Sequence, residues 1–174
     1  MAIVLTNAGT AIIAGRMKGT SDEPVYVGWG TGANAPLATD TALQTESAET
    51  RVAGTSERVT TSQTNDTWRL TAAIISESVQ TITEVGVFDA ILGGNMLLRG
   101  THTATALIVD EGIEYIFDIL FSTSGPSSIS VSPSRSASPS SSASPSSSSS
   151  PSVSPSVSPS ASVGPSSSES PSAS

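Results

Sequence analysis

The chain has 174 residues and a formal net charge of −8. An acidic chain without a basic patch repels phosphate backbones, which argues against nucleic-acid binding, and the lack of cysteine excludes disulfide frameworks and thiolate metal sites. No stretch approaches the roughly 18 apolar residues needed to span a bilayer, and Met1–Leu5 has no basic region before it and no long apolar run after it, so neither a membrane partner nor a secretory leader is expected.

Composition changes near Ser124. From Gly125 onward more than half of the residues are serine, most of the rest are Pro, Ala and Val, and Arg135 and Glu169 cancel in charge. The expected organisation is one β-rich domain over 1–124, large enough for a single core, and a low-complexity segment over 125–174.

In chain order, Leu5–Gly19 predicts a short helix, with Thr6 or Asn7 as its cap, an apolar stripe at Ile12, Ile13 and Met17, and Gly19 as its stop. Val25–Gly30 predicts a strand with Val25, Val27 and Trp29 on one face. Thr31–Pro36 is a loop by its Gly, Asn and Pro content. Asp40–Glu46 has the composition of one helical turn. Thr50–Thr64 predicts an edge-like strand broken by a bulge at Gly54. Asn65-Asp66 is a turn, and Thr67–Ile75 returns with Trp68, Leu70, Ala72 and Ile74 sharing a face.

The stretch Thr81–Ala90 reads as the central strand and first half of a hairpin, turning at Gly93-Gly94-Asn95 into a strand over Met96–Thr105. Asp110-Glu111-Gly112 is a turn before a last strand, Ile113–Phe121. About six strands separated by turn signals, with no helices between them, predict a mainly β fold: an antiparallel β-sandwich or meander with one or two short helices. The serine- and proline-rich tail has too few apolar groups to offset chain entropy, and its prolines remove donors. It is expected to be disordered or extended and polyproline-like. Its composition also matches O-glycosylated stalks, with Ser132, Ser138, Ser154 and Ser158, each beside a proline, as candidate acceptors.

No residue set predicts catalysis, a cofactor or a metal. His102 is the sole histidine, and no cysteine accompanies it. Glu84 and Asp89 are five apart, which puts them on opposite faces of a regular strand. Gly28-Trp29-Gly30-Thr31-Gly32 lacks the Lys-Ser/Thr ending of a phosphate loop and the dinucleotide spacing. Asp110-Glu111-Gly112 reads as a turn rather than a calcium site. Trp29, Trp68 and Tyr115 read as core anchors rather than a sugar platform.

Several stretches, taken in order, resemble the amino-terminal domain of phage tail-collar fibre proteins. They are Leu5–Gly9, Val27–Gly32, Thr41–Glu46, Arg51, Ile82–Asp89 and Met96–Gly100. The resemblance covers residues 5 to 122. It implies a virion structural protein whose domain anchors a fibre to a tail or baseplate, usually as a trimer. It supplies no catalytic residues, and it makes the glycines and the Glu-x-Gly-x-Phe-Asp stretch fold-defining. Where such fibres continue into a shaft and a receptor-binding tip, this chain has the Ser/Pro segment instead, so the domain could equally decorate a capsid or stack on itself.

The expected role is therefore a non-enzymatic tail-fibre or decoration component, found in the virion and extracellular after release. Its expected partners are itself, as a trimer or helical filament, and other virion proteins. The alternatives are a self-assembling extracellular filament subunit with a glycan-coated tail, and a carbohydrate-binding module using Trp29 or Trp68.

Overall fold

The computed structural model describes residues 2–121 and 127–137. The fold is mainly β, with nine strands and one helix among the described residues. In chain order they are β1 (Ala2–Leu5), α1 (Asn7–Lys18), β2 (Tyr26–Gly30), β3 (Val52–Ala53), β4 (Thr55–Val59), β5 (Thr67–Ile75), β6 (Gln80–Phe88), β7 (Met96–Leu107), β8 (Glu111–Leu120) and β9 (Ser128–Ala137). Every pairing is antiparallel. One sheet runs β1-β7-β6-β2-β3 and the other β4-β5-β8-β9.

The two sheets face each other across one apolar core. Val27, Trp29, Val85, Val87 and Leu98 reach it from the first sheet, and Leu70, Ile74, Tyr115 and Phe117 from the second. The alternation read from the sequence holds on these strands: Leu70, Ala72 and Ile74 are buried on β5, and Ile113, Tyr115, Phe117 and Ile119 on β8. A smaller cluster of Leu43, Phe88 and Met96, with Tyr26 against it, lies on the opposite face of the first sheet. The register sets this second face, because Tyr26 lies opposite Phe88 and Val27 opposite Val87.

The helix starts and stops where its sequence signals lie. Thr6 is extended, and its hydroxyl accepts from Gly9 N–H at 2.9 Å. Gly19 is left-handed at φ 76° and closes the C-terminus onto the carbonyls of Arg16 and Gly15. Thr6 is also tied to β7, its N–H donating to Leu97 O at 3.1 Å. That carbonyl is available because the β6–β7 register shifts between Val87 and Phe88, leaving Leu97 unmatched. The same irregularity explains why Met96, Leu97 and Leu98 are all buried, where strict alternation would expose one.

Four expectations change. The apolar start, not read as an element, is an edge strand on β7. Asp40–Glu46 is not helical but an irregular part of a long loop, with Glu46 bridged to Gly30. Gly54 is not a bulge within one strand: it is where the chain leaves the first sheet as β3 and enters the second as β4. A Cβ there would lie 2.7 Å from Leu70 and 2.8 Å from Thr71 O, so the crossing fits only glycine. Lastly, strand structure continues past the composition break. Ser128–Ala137 pairs along β8, with Val131 buried and Ile129 partly so, and Pro133 sits on this edge strand, where a missing N–H is tolerated. Residues 138–174 lie outside the described residues.

The turn before β5 is organised by Asp66. Asn65 is left-handed at φ 59°, and the Asp66 carboxylate accepts from the N–H groups of Thr61, Ser62 and Gln63 at 2.7–2.8 Å. Desolvation pushes this carboxyl up, but the bonds from Thr61, Gln63, Ser62 and the Thr67 hydroxyl outweigh it and hold it at about 2, against an ordinary 3.8. A folded-state value below the unfolded one means that stability is fully present above about pH 3.8 and is lost as pH falls towards 2. Urea unfolding across that window is expected to show a shallower pH dependence for Asp66→Asn than for the unsubstituted chain; equal slopes would contradict this role for Asp66.

Candidate functional site

The densest polar construction in the molecule lies on the outer face of the first sheet, under the loop over residues 31–51. Successive outward positions of β6 are Glu84, Gly86 and Phe88, since Val85 and Val87 point into the core. Glu84 is fully buried. One of its oxygens accepts from Gly32 N–H at 3.1 Å and Thr45 N–H at 2.8 Å, and the other from Gln44 N–H at 3.0 Å. Arg99, buried on β7, donates to the second oxygen at 2.7 Å and 2.8 Å. The same guanidinium reaches Asp40 Oδ2 at 2.8 Å and Asn34 O at 3.3 Å. Glu84 and Arg99 therefore hold both limbs of the loop at once.

The electrostatics follow from this geometry. Burial works against the charge on Arg99, but the carboxylates of Asp40 and Glu84 outweigh it and raise its pKa. Desolvation pushes the Asp40 carboxyl up, and the Leu37 N–H with Arg99 brings it below its usual value.

A second ion pair fixes the far limb of the loop. Arg51 meets Glu46 at 2.6 Å and 3.0 Å, donates to Gly93 O at 2.6 Å, and lies 3.4 Å above the Phe88 ring. Glycine makes the close approach possible. A Cβ at Gly30 would lie 2.2 Å from Thr45 O, and one at Gly32 would lie 2.4 Å from a Glu84 oxygen. Gly28-Trp29-Gly30-Thr31-Gly32 is thus a seat for protein backbone, with a carboxylate where a phosphate loop would hold its anion.

The other sequence candidates are dispersed. Asp89 is not paired with Glu84; it accepts from Asn95 N–H at 2.6 Å and closes the β6–β7 hairpin. His102 sits where the β6–β7 register slips. Its Nδ1 lies 2.8 Å from Thr103 O and must donate there, which leaves Nε2 to accept from the Tyr115 hydroxyl at 3.1 Å. Burial lowers the imidazole pKa, against the raising effect of the Thr103 bond, and burial raises that of Tyr115.

Asp110 is left-handed at φ 67° in a hairpin turn, and Glu111 pairs with Arg135 at 2.6 Å. Trp29 and Tyr115 are buried core anchors. Trp68 is half-buried beside α1, with its indole N–H 3.3 Å from Glu23. Ser132 is exposed on β9; Ser138, Ser154 and Ser158 lie outside the described residues. Among the described residues no group of His, Asp and Glu could hold a metal ion, no helix is long and apolar enough to cross a membrane, and no buried side-chain polar atom lacks a partner.

No protein-family model, no curated protein and no solved structure matches this chain.

Sequence reasoning placed Glu84 and Arg51 among the fold-defining residues but missed their partners. Arg99 stands in an apolar run, and nothing in its spacing points to Asp40, 59 positions away. Removing one member of a buried ion pair costs about 3–5 kcal/mol. Glu84→Gln is expected to lower unfolding free energy by about 3 kcal/mol, read as a shift in urea midpoint. An effect below about 1 kcal/mol, typical of an exposed pair, would contradict the role given to Glu84.

Proposed function

We propose that this chain is a non-enzymatic structural protein of a phage particle, a tail-fibre or decoration component, that assembles through its β domain and carries the Ser/Pro-rich segment on its outside. One observation supports the reading above the others. The scattered stretches that resemble the tail-collar fibre domain meet in one construction. Val27–Gly32, Thr41–Glu46, Arg51 and Ile82–Asp89 build the loop clasp, Met96–Gly100 supplies Arg99, and Leu5–Gly9 docks on Leu97. Residues so far apart in sequence need resemble a family only if the same clasp is being conserved in kind. The clasp spends its charges on holding backbone, which suits a scaffold better than a reaction centre.

In this reading the domain partners with further copies of itself and with other virion proteins. The outward-facing serines of β9, Ser132 among them, begin a tract that takes O-linked sugars. The carbohydrate-binding alternative loses one of its two indoles, because Trp29 is buried.

Immunogold labelling of purified particles with antibody raised against residues 1–121 tests the proposal. Label on the particle surface, with the protein's peptides co-sedimenting with particles through a density gradient, is the expected result. Recovery solely in the particle-free fraction would overturn it.

A further inference from the structure

The two ends of the β domain carry matching apolar surfaces. At one end, the β5–β6 and β7–β8 turns are joined through Ser76, whose N–H donates to Glu111 O at 2.7 Å and whose carbonyl accepts from Asp110 N–H at 2.9 Å. These turns and their flanks leave Ile75, Val79, Ile108 and Val109 exposed, Val79 at 77 % and Ile108 at 58 %. The other end lies at the far end of β5, about 25 Å away at roughly 3.3 Å per residue. There α1 lies beside the end of the second sheet, and between them opens a cleft of 240 Å³ lined by Ile12, Ile13, Met17, Trp68, Ile119 and Phe121. Met17, on its rim, is 87 % exposed. One end protrudes, the other is concave, and both are apolar beyond what scattered surface residues explain.

Charge decides which surfaces can meet. The turn end carries Glu77 and Asp110 outside any salt bridge, beside the Glu111–Arg135 pair. Two such ends facing each other would set like charges together. The cations that form no salt bridge among the described residues are Arg16, Lys18 and Arg58. Arg16 lines the cleft, Lys18 ends α1, and Arg58 lies opposite Trp68 in the β4–β5 register. Asp22, Glu23 and Asp66 lie nearby, so the helix end is mixed in sign, and the carboxylates of Glu23 and Asp66 are taken up by bonds to Ser56 and to the Asp66 turn. The helix end can therefore accept an acidic partner, whereas a second turn end cannot.

We propose that copies of this chain stack head to tail, the Val79–Ile108 end of one seated in the α1 cleft of the next. Such a contact joins two different surfaces, so it propagates into an open filament or closes into a ring, rather than stopping at a two-fold dimer. The proposal rests on the assembly part of the function above, but not on membership of a phage particle.

Sedimentation velocity of the full chain over a concentration series tests it, with Met17→Asp and Val79→Asp as variants. Both side chains are exposed, so the fold should survive, and circular dichroism checks that. The expected pattern is a mass that grows with concentration in the unsubstituted chain. Each variant alone should associate at least about ten-fold more weakly, because burial of one such side chain is worth that factor or more. An equimolar mixture of the two variants should form a species of twice the monomer mass and nothing larger, since each retains one working end.

A chain that stays monomeric throughout overturns the proposal. So does a Val79→Asp variant that associates like the unsubstituted chain. Discrete oligomers indifferent to both substitutions overturn the end-to-end contact and leave the particle reading standing. Head-to-tail growth together with unlabelled particles would do the reverse.

Discussion

The buried Glu84 carboxylate is the constraint on which this structure turns. A carboxylate taken out of water costs several kcal/mol unless its lone pairs are met. Here they are met by three backbone N–H groups from a loop and by Arg99 from the neighbouring strand. The dependence runs both ways. Without the loop the ion pair would sit on an open sheet face, worth little. Without the ion pair, residues 31–51 would be a long segment with little ladder bonding to hold it. The second apolar cluster follows, since Leu43 reaches Phe88 and Met96 only when the loop is seated. Gly30 and Gly32 are glycines for the same reason.

Much of this was legible in the sequence, and the failures have physical causes. Strands facing one core were readable from period-two burial, as on β5 and β8. The helix was readable because Thr6 and Gly19 are local signals. Three things were not readable. The Gly54 crossing looks like a bulge, because one glycine serves either purpose and the sheet to which each half pairs is a non-local fact. The Asp40–Glu46 segment has helical composition, but its N–H groups at Gln44 and Thr45 are claimed by Glu84, a tertiary contact that overrides local preference. The strand Ser128–Ala137 has the composition of an unfolded tract. It pairs because β8 offers a free edge, and two apolar side chains, Ile129 and Val131, suffice to set its register.

The candidate site divides in the same way. Glu84, Arg51 and the glycines announced themselves through the resemblance, whereas Arg99 and Asp40 did not, because a buried arginine in an apolar run gives no periodic signal. The sheet edges also bear on assembly. The chain passes from β3 straight into β4 at Gly54, and β4 is short, polar and exposed, features that blunt edge pairing. Thr-rich edges, natural candidates from the sequence, are thereby weaker surfaces than the two apolar ends.

The central claim is that a carboxylate holds the 31–51 loop as firmly as a strand. Native-state hydrogen exchange at the Gly32, Gln44 and Thr45 amides measures this most directly. If Glu84 holds them, all three exchange as slowly as the ladder amides of β6, by openings close in free energy to global unfolding. Exchange at the rate of exposed turn amides such as Ser62 would show that the loop opens independently, and the account built on Glu84 would be wrong.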